Sequence, residues 1–287
     1  MRAEPVPTLV RVLRDHRRGF ATWLVALTAI TAFYMAFWPM MGAEMLAAIE
    51  GMPEGLMAAM GYDRIGTAAG YLEAVVYGLL GPILLLVYGI GLGVRLIAGQ
   101  EEDGTLELDL TAPVARGRLY GERLVSVWLL MLGLVVGVTL AVFVSNPLFD
   151  LGLDLGNVGA TSFGLLLLVG GFATLGFAVG AATGRRSVAL AAVAGLALVG
   201  YVFRGVANAA GVDALAAVSP FSWFLAPDPL ANGFDLASTL KLAAITVVAA
   251  PLGLWRFRRR DLRTGRAPAA GRSRGSTLPV GPGGARP

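Results

Sequence analysis

Six stretches of the chain are apolar along their whole length: about 20–41, 74–97, 124–145, 162–182, 188–207 and 239–255. A bilayer core about 30 Å thick needs roughly 20 apolar residues per helix. Each stretch therefore reads as a membrane-spanning helix. A transmembrane barrel fits poorly, because its strands would be segments of about ten residues with alternating polarity. The pattern predicts an all-α integral membrane protein with six spans.

The segments between the spans carry their own patterns. Before the first span, Leu9, Val12, Leu13, His16 and Phe20 recur at three- and four-residue steps, with Arg11, Arg14, Asp15 and Arg18 opposite. That spacing predicts an amphipathic helix in the interface plane, with Pro5 and Pro7 stopping it backward. The alternative is a basic extension of the first span. The loop 42–73 is long and apolar at helical spacing, broken at Gly51-Met52-Pro53. It predicts short helices lying on the membrane surface. Asn146-Pro147 marks a loop over 146–161. The fourth and fifth spans are joined only by 183–187, which forces them to be antiparallel neighbours. The loop 208–238 contains Ser219-Pro220-Phe221-Ser222-Trp223-Phe224 and is expected to turn back into the interface.

Glycines at four-residue spacing (Gly89 and Gly93; Gly133 and Gly137; Gly176, Gly180 and Gly184) mark close helix packing, within the chain or at a dimer seam. From about Thr264 the tail has no apolar periodicity and is expected to be disordered. The chain thus divides into an N-terminal helix (1–19), a six-span domain (20–257) and a basic tail (258–287).

Charge orients this arrangement. The chain is 56% hydrophobic and only 15% charged, against about 25% charged in ordinary soluble domains. Of 23 Lys and Arg residues, 20 fall on one side of the six-span layout; Arg64, Arg204 and Lys241 fall on the other. Cytoplasmic loops collect Lys and Arg, so both termini and the 98–123 loop are expected in the cytoplasm. Acids are spread evenly, nine inside and ten outside. The net charge of +4 therefore reflects orientation and contact with anionic lipid, not nucleic acid. Trp23, Trp128 and Trp255 fall at expected inner boundaries and Trp38 and Trp223 at outer ones, where indoles prefer to sit.

Several chemistries are excluded. There is no cysteine and only one histidine, His16, so thiolate and His-rich metal sites are out of reach. Lys241 is the only lysine and lies in Ser-Thr-Leu-Lys-Leu. A phosphate-binding loop needs Gly-Lys-Ser/Thr, so the chain is not expected to hydrolyse ATP. Glu73, Arg95, Arg204 and Lys241 all lie near span ends. Proton- or ion-coupled carriers usually place acids or histidines at mid-membrane, so energy for any transport must come from elsewhere.

One polar island remains. Residues 99–123 read GQEEDGTLELDLTAPVARGRLYGER, between the second and third spans. Leu106, Leu108 and Leu110 alternate with Glu107 and Asp109, which taken alone hints at a short strand. Glu101, Glu102, Gly104, Thr105, Leu106, Glu107, Pro113 and Arg116 stand in an order that resembles the cytosolic coupling segment of type-2 ATP-binding-cassette (ABC) transporter permeases. Ser219-Pro220-Phe221 before the last span and the basic run Arg258-Arg259-Arg260-Asp261 add to the resemblance. Asp109 stands where many relatives have another leucine.

The resemblance implies the transmembrane subunit of an ATP-driven exporter for a lipid, drug or peptide. It implies a helix at 99–123 with Leu106 and Leu110 stacked one turn apart and Pro113 ending it. That helix would dock, through its leucines and Glu101, Glu102 and Glu107, into a groove on an ATPase subunit. The implied partners are two ABC ATPase subunits, which would hold ATP and magnesium, a second permease subunit, identical or homologous, and the bilayer. The chain itself would hold no cofactor. Two rivals come from other classes: a non-transporting anchor or assembly protein using the same loop, and a standalone carrier.

Overall fold

The computed structural model describes residues 8–42, 47–49, 51–62, 64–105 and 115–260. They form a helical bundle, and no strand occurs among them. Helix α1 spans Thr8–Phe37. The short α2 spans Glu54–Met60, and α3 spans Ala68–Glu102. Next come α4, Arg116–Leu148, α5, Leu155–Thr183, and α6, Arg186–Ala210. Three short helices follow: α7, Asp213–Val218, α8, Pro220–Leu225, and α9, Pro229–Asn232. The last is α10, Leu236–Arg259. Six of these helices are long and apolar enough to cross a membrane; five contain an expected span whole, and α1 covers all of the first but its last four residues.

Boundaries differ from expectation in two places. First, α1 runs unbroken through position 20, so the expected interfacial helix and the first span are one element. No proline follows Pro7 until the end of the span, and Gly19 alone does not break the helix. The two faces are as patterned: Val12 is buried while Arg11, Arg14 and Arg18 are exposed. Second, α4 continues through Pro147 to Leu148. A proline in the last turn removes only one backbone donor. Asn146 then staples the return, accepting from the Leu153 N–H and donating to its carbonyl, each at 3.0 Å.

The hub of the bundle is α5. Of the residues in its apolar window 78% are buried, against 17% in both α1 and α10. It packs against α3, α4, α6 and α10. Its surface is rich in Gly and Ala, which lets neighbouring backbones approach. Gly93 of α3 is one such position: a Cβ there would press on the Ala173 carbonyl and lie 3.1 Å from the Phe177 nitrogen. The glycine pairs thus serve packing within the chain.

Trp128 turns into the bundle. Its ring lies over Gly170 of α5, where a Cβ would be 2.6 Å away, and its N–H donates to Thr174 Oγ1 at 3.1 Å. It sits more than three turns into α4, and the Thr174 hydroxyl satisfies its N–H inside the bundle. Trp255 behaves as an interface residue, with the Arg259 guanidinium 4.6 Å from its ring centre.

Two local features of α3 matter below. Near each end its winding widens: the Gly81 N–H bonds back to Val76, and the Gln100 N–H to Arg95, five residues away instead of four. Such turns often occur at functional sites. One begins at Glu73 and the other leads into Glu101. The segment 208–238 does turn back, burying Phe221, Ser222, Phe224 and Leu225.

Candidate functional site

The end of the bundle that carries Arg116, Arg186 and Arg260 gathers the described part of the polar island. The sequence stops α3 by local chemistry. Gly104 adopts a left-handed conformation (φ 70°) and its N–H bonds to the Glu101 carbonyl at 3.2 Å. Thr105 Oγ1 donates to the Gln100 carbonyl at 3.2 Å. These bonds satisfy carbonyls that a helix end leaves open.

The two acids at this stop have different fates. Glu101 is buried, and its Oε2 accepts from Arg260 Nη2 just beyond the end of α10. Glu102 is exposed, and its Oε1 accepts from the Arg186 backbone N–H at 2.9 Å. It thereby caps the first turn of α6. Acids at a helix C-terminus oppose the helix dipole. Here the guanidinium of Arg260 and the positive N-terminal end of α6 offset that cost.

Gly184 makes this approach possible. It ends α5 in a left-handed turn (φ 62°), and a Cβ there would collide with Arg260 Nη1 and lie 2.7 Å from Glu101 Oε1. Arg116, the first residue of α4, donates to the Arg260 carbonyl at 3.2 Å. Deeper in α4, the Arg123 side chain is buried and donates to the Leu96 carbonyl at 2.6 Å. That carbonyl lies in the widened turn, where the Gln100 N–H has moved to Arg95. Tyr120 donates to the Ala250 carbonyl of α10 at 2.8 Å and packs against Phe177 and Phe257.

The node therefore joins the ends of α3, α4, α5, α6 and α10. Of the island residues singled out from sequence, Glu101, Glu102, Gly104, Thr105 and Arg116 lie in or beside it. Leu106, Glu107, Leu110 and Pro113 fall outside the described residues. Arg260, Arg186, Gly184 and Arg123 were not singled out as site residues. Arg260 belongs to the basic run Arg258-Arg259-Arg260, and nothing local marks which member pairs inward. No cluster of three or more His, Asp or Glu suited to a metal ion occurs among the described residues.

The node combines buried charge, short polar links and helix termini. Residues 12–262 match the model of a family described as ABC-2 family transporter protein. No curated protein matches the chain.

Proposed function

The chain belongs to the ABC-2 family of transporter proteins, and from that premise we propose that it is the membrane subunit of an ATP-driven exporter, coupled to its ATPase through residues 99–123. As a family member it is a multi-pass permease component of an ABC transporter, which implies association with ABC ATPase subunits. Two copies, or this chain and a homologue, enclose the path. Two separate ATPases bind below and hold ATP and magnesium. The termini and the 99–123 loop face the cytoplasm of a prokaryotic cell, an orientation that the arginine asymmetry supports. The cargo is hydrophobic or amphipathic.

The observation that carries this reading is the joint at Glu101 and Glu102. A docking segment is useful only if its displacement reaches the spans. Glu101 is tied to the end of α10 and Glu102 to the start of α6, while Arg116 links the start of α4 to Arg260. A push on the segment is thus delivered to several spans at once. The buried pair resists being stretched, because separating it costs Glu101 its ion-pair contact in a poorly solvated place, and the cap adds a hydrogen bond at the start of α6. Energy released on ATP closure is thereby converted into tilt of the spans. In this division of labour the acids at 101 and 102 transmit, and Leu106, Glu107 and Leu110 make the contact.

The test changes the contact residues and leaves the joint alone. Leu106→Asp would bury an unpaired charge in the ATPase groove, and Glu107→Arg would reverse a charge facing a basic partner. Each should insert normally yet lose copurification with the ATPase and transport-stimulated hydrolysis. Glu54→Arg, on exposed α2 at the opposite end, should do neither. Normal copurification of both variants would remove the docking role. Copurification without any transport-stimulated hydrolysis would instead favour an anchor or assembly role.

A further inference from the structure

Antiparallel helices α3 and α6 carry the same stripe. On α3 it runs Arg95, Gly91, Val87, Ile83, and on α6 it runs Arg186, Leu190, Ala194, Leu198. Residues four apart lie on one face of a helix. Each stripe thus begins with an arginine at the end that carries the Glu101 joint and continues with apolar positions away from it. The two arginines line a cavity of about 470 Å³ between α1, α3 and α6. The apolar positions line a groove of about 430 Å³ between α3 and α6. Val87 and Gly91 belong to both walls, so cavity and groove adjoin there.

The fold leaves both guanidiniums unused. Among the described residues neither Arg95 nor Arg186 forms an ion pair or a side-chain hydrogen bond, and both are exposed. Arg95 opens the widened turn of α3. Arg186 gives only its backbone N–H, to Glu102. Asp15 is the acid in this wall, and it pairs with neither arginine. The described wall therefore carries excess positive charge. The charged cavity at the opposite end of the bundle, about 360 Å³ and lined by Glu73 and Arg204 among others, differs in this respect. There Arg64 bridges Glu73 and Asp228, and Arg204 is also engaged.

Shape and length narrow the occupant. A Cβ at Gly91, or at Gly19 on the α1 side of the cavity, would meet nothing within 4 Å, so helix packing does not fill the junction. Trp23 and Tyr88 also line the cavity, their ring centres 5.6 Å apart, and indoles prefer the level of lipid headgroups. From Arg186 to Leu198 the helix rises roughly 18 Å. That is close to half of a bilayer core about 30 Å thick. The stripes therefore match one leaflet, with positive charge at its polar edge.

We propose that cavity and groove together bind one membrane phospholipid with a net negative head, of the phosphatidylglycerol kind. Its phosphate lies between Arg95 and Arg186, and its acyl chains follow the stripes past Gly91 and Val87. A zwitterionic head brings an ammonium into the same positive wall and is disfavoured. Binding here needs no ATPase, so it stands or falls separately from the coupling role above.

The test uses the full chain alone in detergent, with native mass spectrometry reading retained lipid. The probes are phosphatidylglycerol, phosphatidylcholine and phosphatidylethanolamine with identical dioleoyl chains. Phosphatidylglycerol should be held about tenfold more tightly than either other, in line with two arginines near an interface. Arg95→Gln and Arg186→Gln should each cut that preference several-fold. Arg14→Gln, an exposed position on the opposite face of α1, should leave it unchanged. Gly91→Leu should lower retention of phosphatidylglycerol by filling the junction. Inorganic phosphate at millimolar concentration should not displace the lipid. Equal retention of the three lipids by the wild-type chain overturns the proposal. So does an equal loss in Arg14→Gln and Arg95→Gln, or undiminished retention in Gly91→Leu. Displacement by inorganic phosphate would overturn the assignment to a lipid.

Discussion

Arg260 and Glu101 are 159 residues apart in the chain and form an ion pair in which the glutamate side chain is 3% exposed. Such a pair adds little net stability when intact, because two charges have been taken out of water. Its geometric effect is larger: it fixes the end of α10 against the end of α3. Removing one partner takes from the other its ion-pair contact.

That asymmetry gives a double-mutant prediction. Glu101→Gln or Arg260→Gln should each destabilise the solubilised protein by about 3 kcal/mol, read as a lower thermal midpoint. The charge-reversed pair Glu101→Arg with Arg260→Glu should recover part of the loss. Equal damage from the double and single variants would mean that the pair does not hold these ends together.

Gly184 offers a second check. Gly184→Ala meets both a left-handed backbone and a collision with Arg260, with Glu101 at 2.7 Å. Gly152 also has a left-handed backbone (φ 64°), but nothing within 4 Å of its Cβ position. The backbone penalty alone is roughly 1–2 kcal/mol. Gly184→Ala should therefore lower the thermal midpoint clearly more than Gly152→Ala. Equal shifts would show that the acid–arginine approach does not depend on glycine.

A third prediction concerns helix packing. Gly91 and Gly93 share one helix, yet only Gly93 faces a neighbour's backbone. Gly91→Ala should be neutral or mildly stabilising, since alanine is about 1 kcal/mol better than glycine in a helix interior. Gly93→Ala should destabilise by forcing α3 away from Ala173. Matching thermal midpoints for the two variants would contradict this packing.

Sidedness is testable because the chain has no cysteine. Gly152→Cys should react with an impermeant thiol reagent on intact cells, and Ala270→Cys only after lysis. The reverse pattern would invert the proposed orientation and move the Glu101 joint away from any cytoplasmic ATPase.

The two acids at the start of the island show how far a linear reading reaches. Glu101 and Glu102 were picked out because acids, a Gly-Thr pair and arginines interrupt apolar sequence. They were read alike, as charges offered to a partner. In the structure one is buried against Arg260 and the other caps α6. Neighbouring positions on a helix point about 100° apart, so only the surrounding helices could assign them different work. A change at Glu102 also disturbs a helix cap, which is why the docking test uses Leu106 and Glu107.

The six spans, the tight turn at 183–187, the return of 208–238 and the arginine asymmetry were all legible in the linear chain. Each depends on local quantities: length of apolar run, loop length, turn residues and charge count. Which helix forms the hub was not legible, because every span is apolar and hydropathy does not rank partners in lipid. Small residues on α5 permit close approach on several sides, and the choice among them is made by mutual fit. The same holds for Trp128 turning into the bundle, for the pairing of Arg260 with Glu101, and for the Glu73–Arg204 cavity. These bring together groups far apart in sequence, and their energies exist only after the helices have packed.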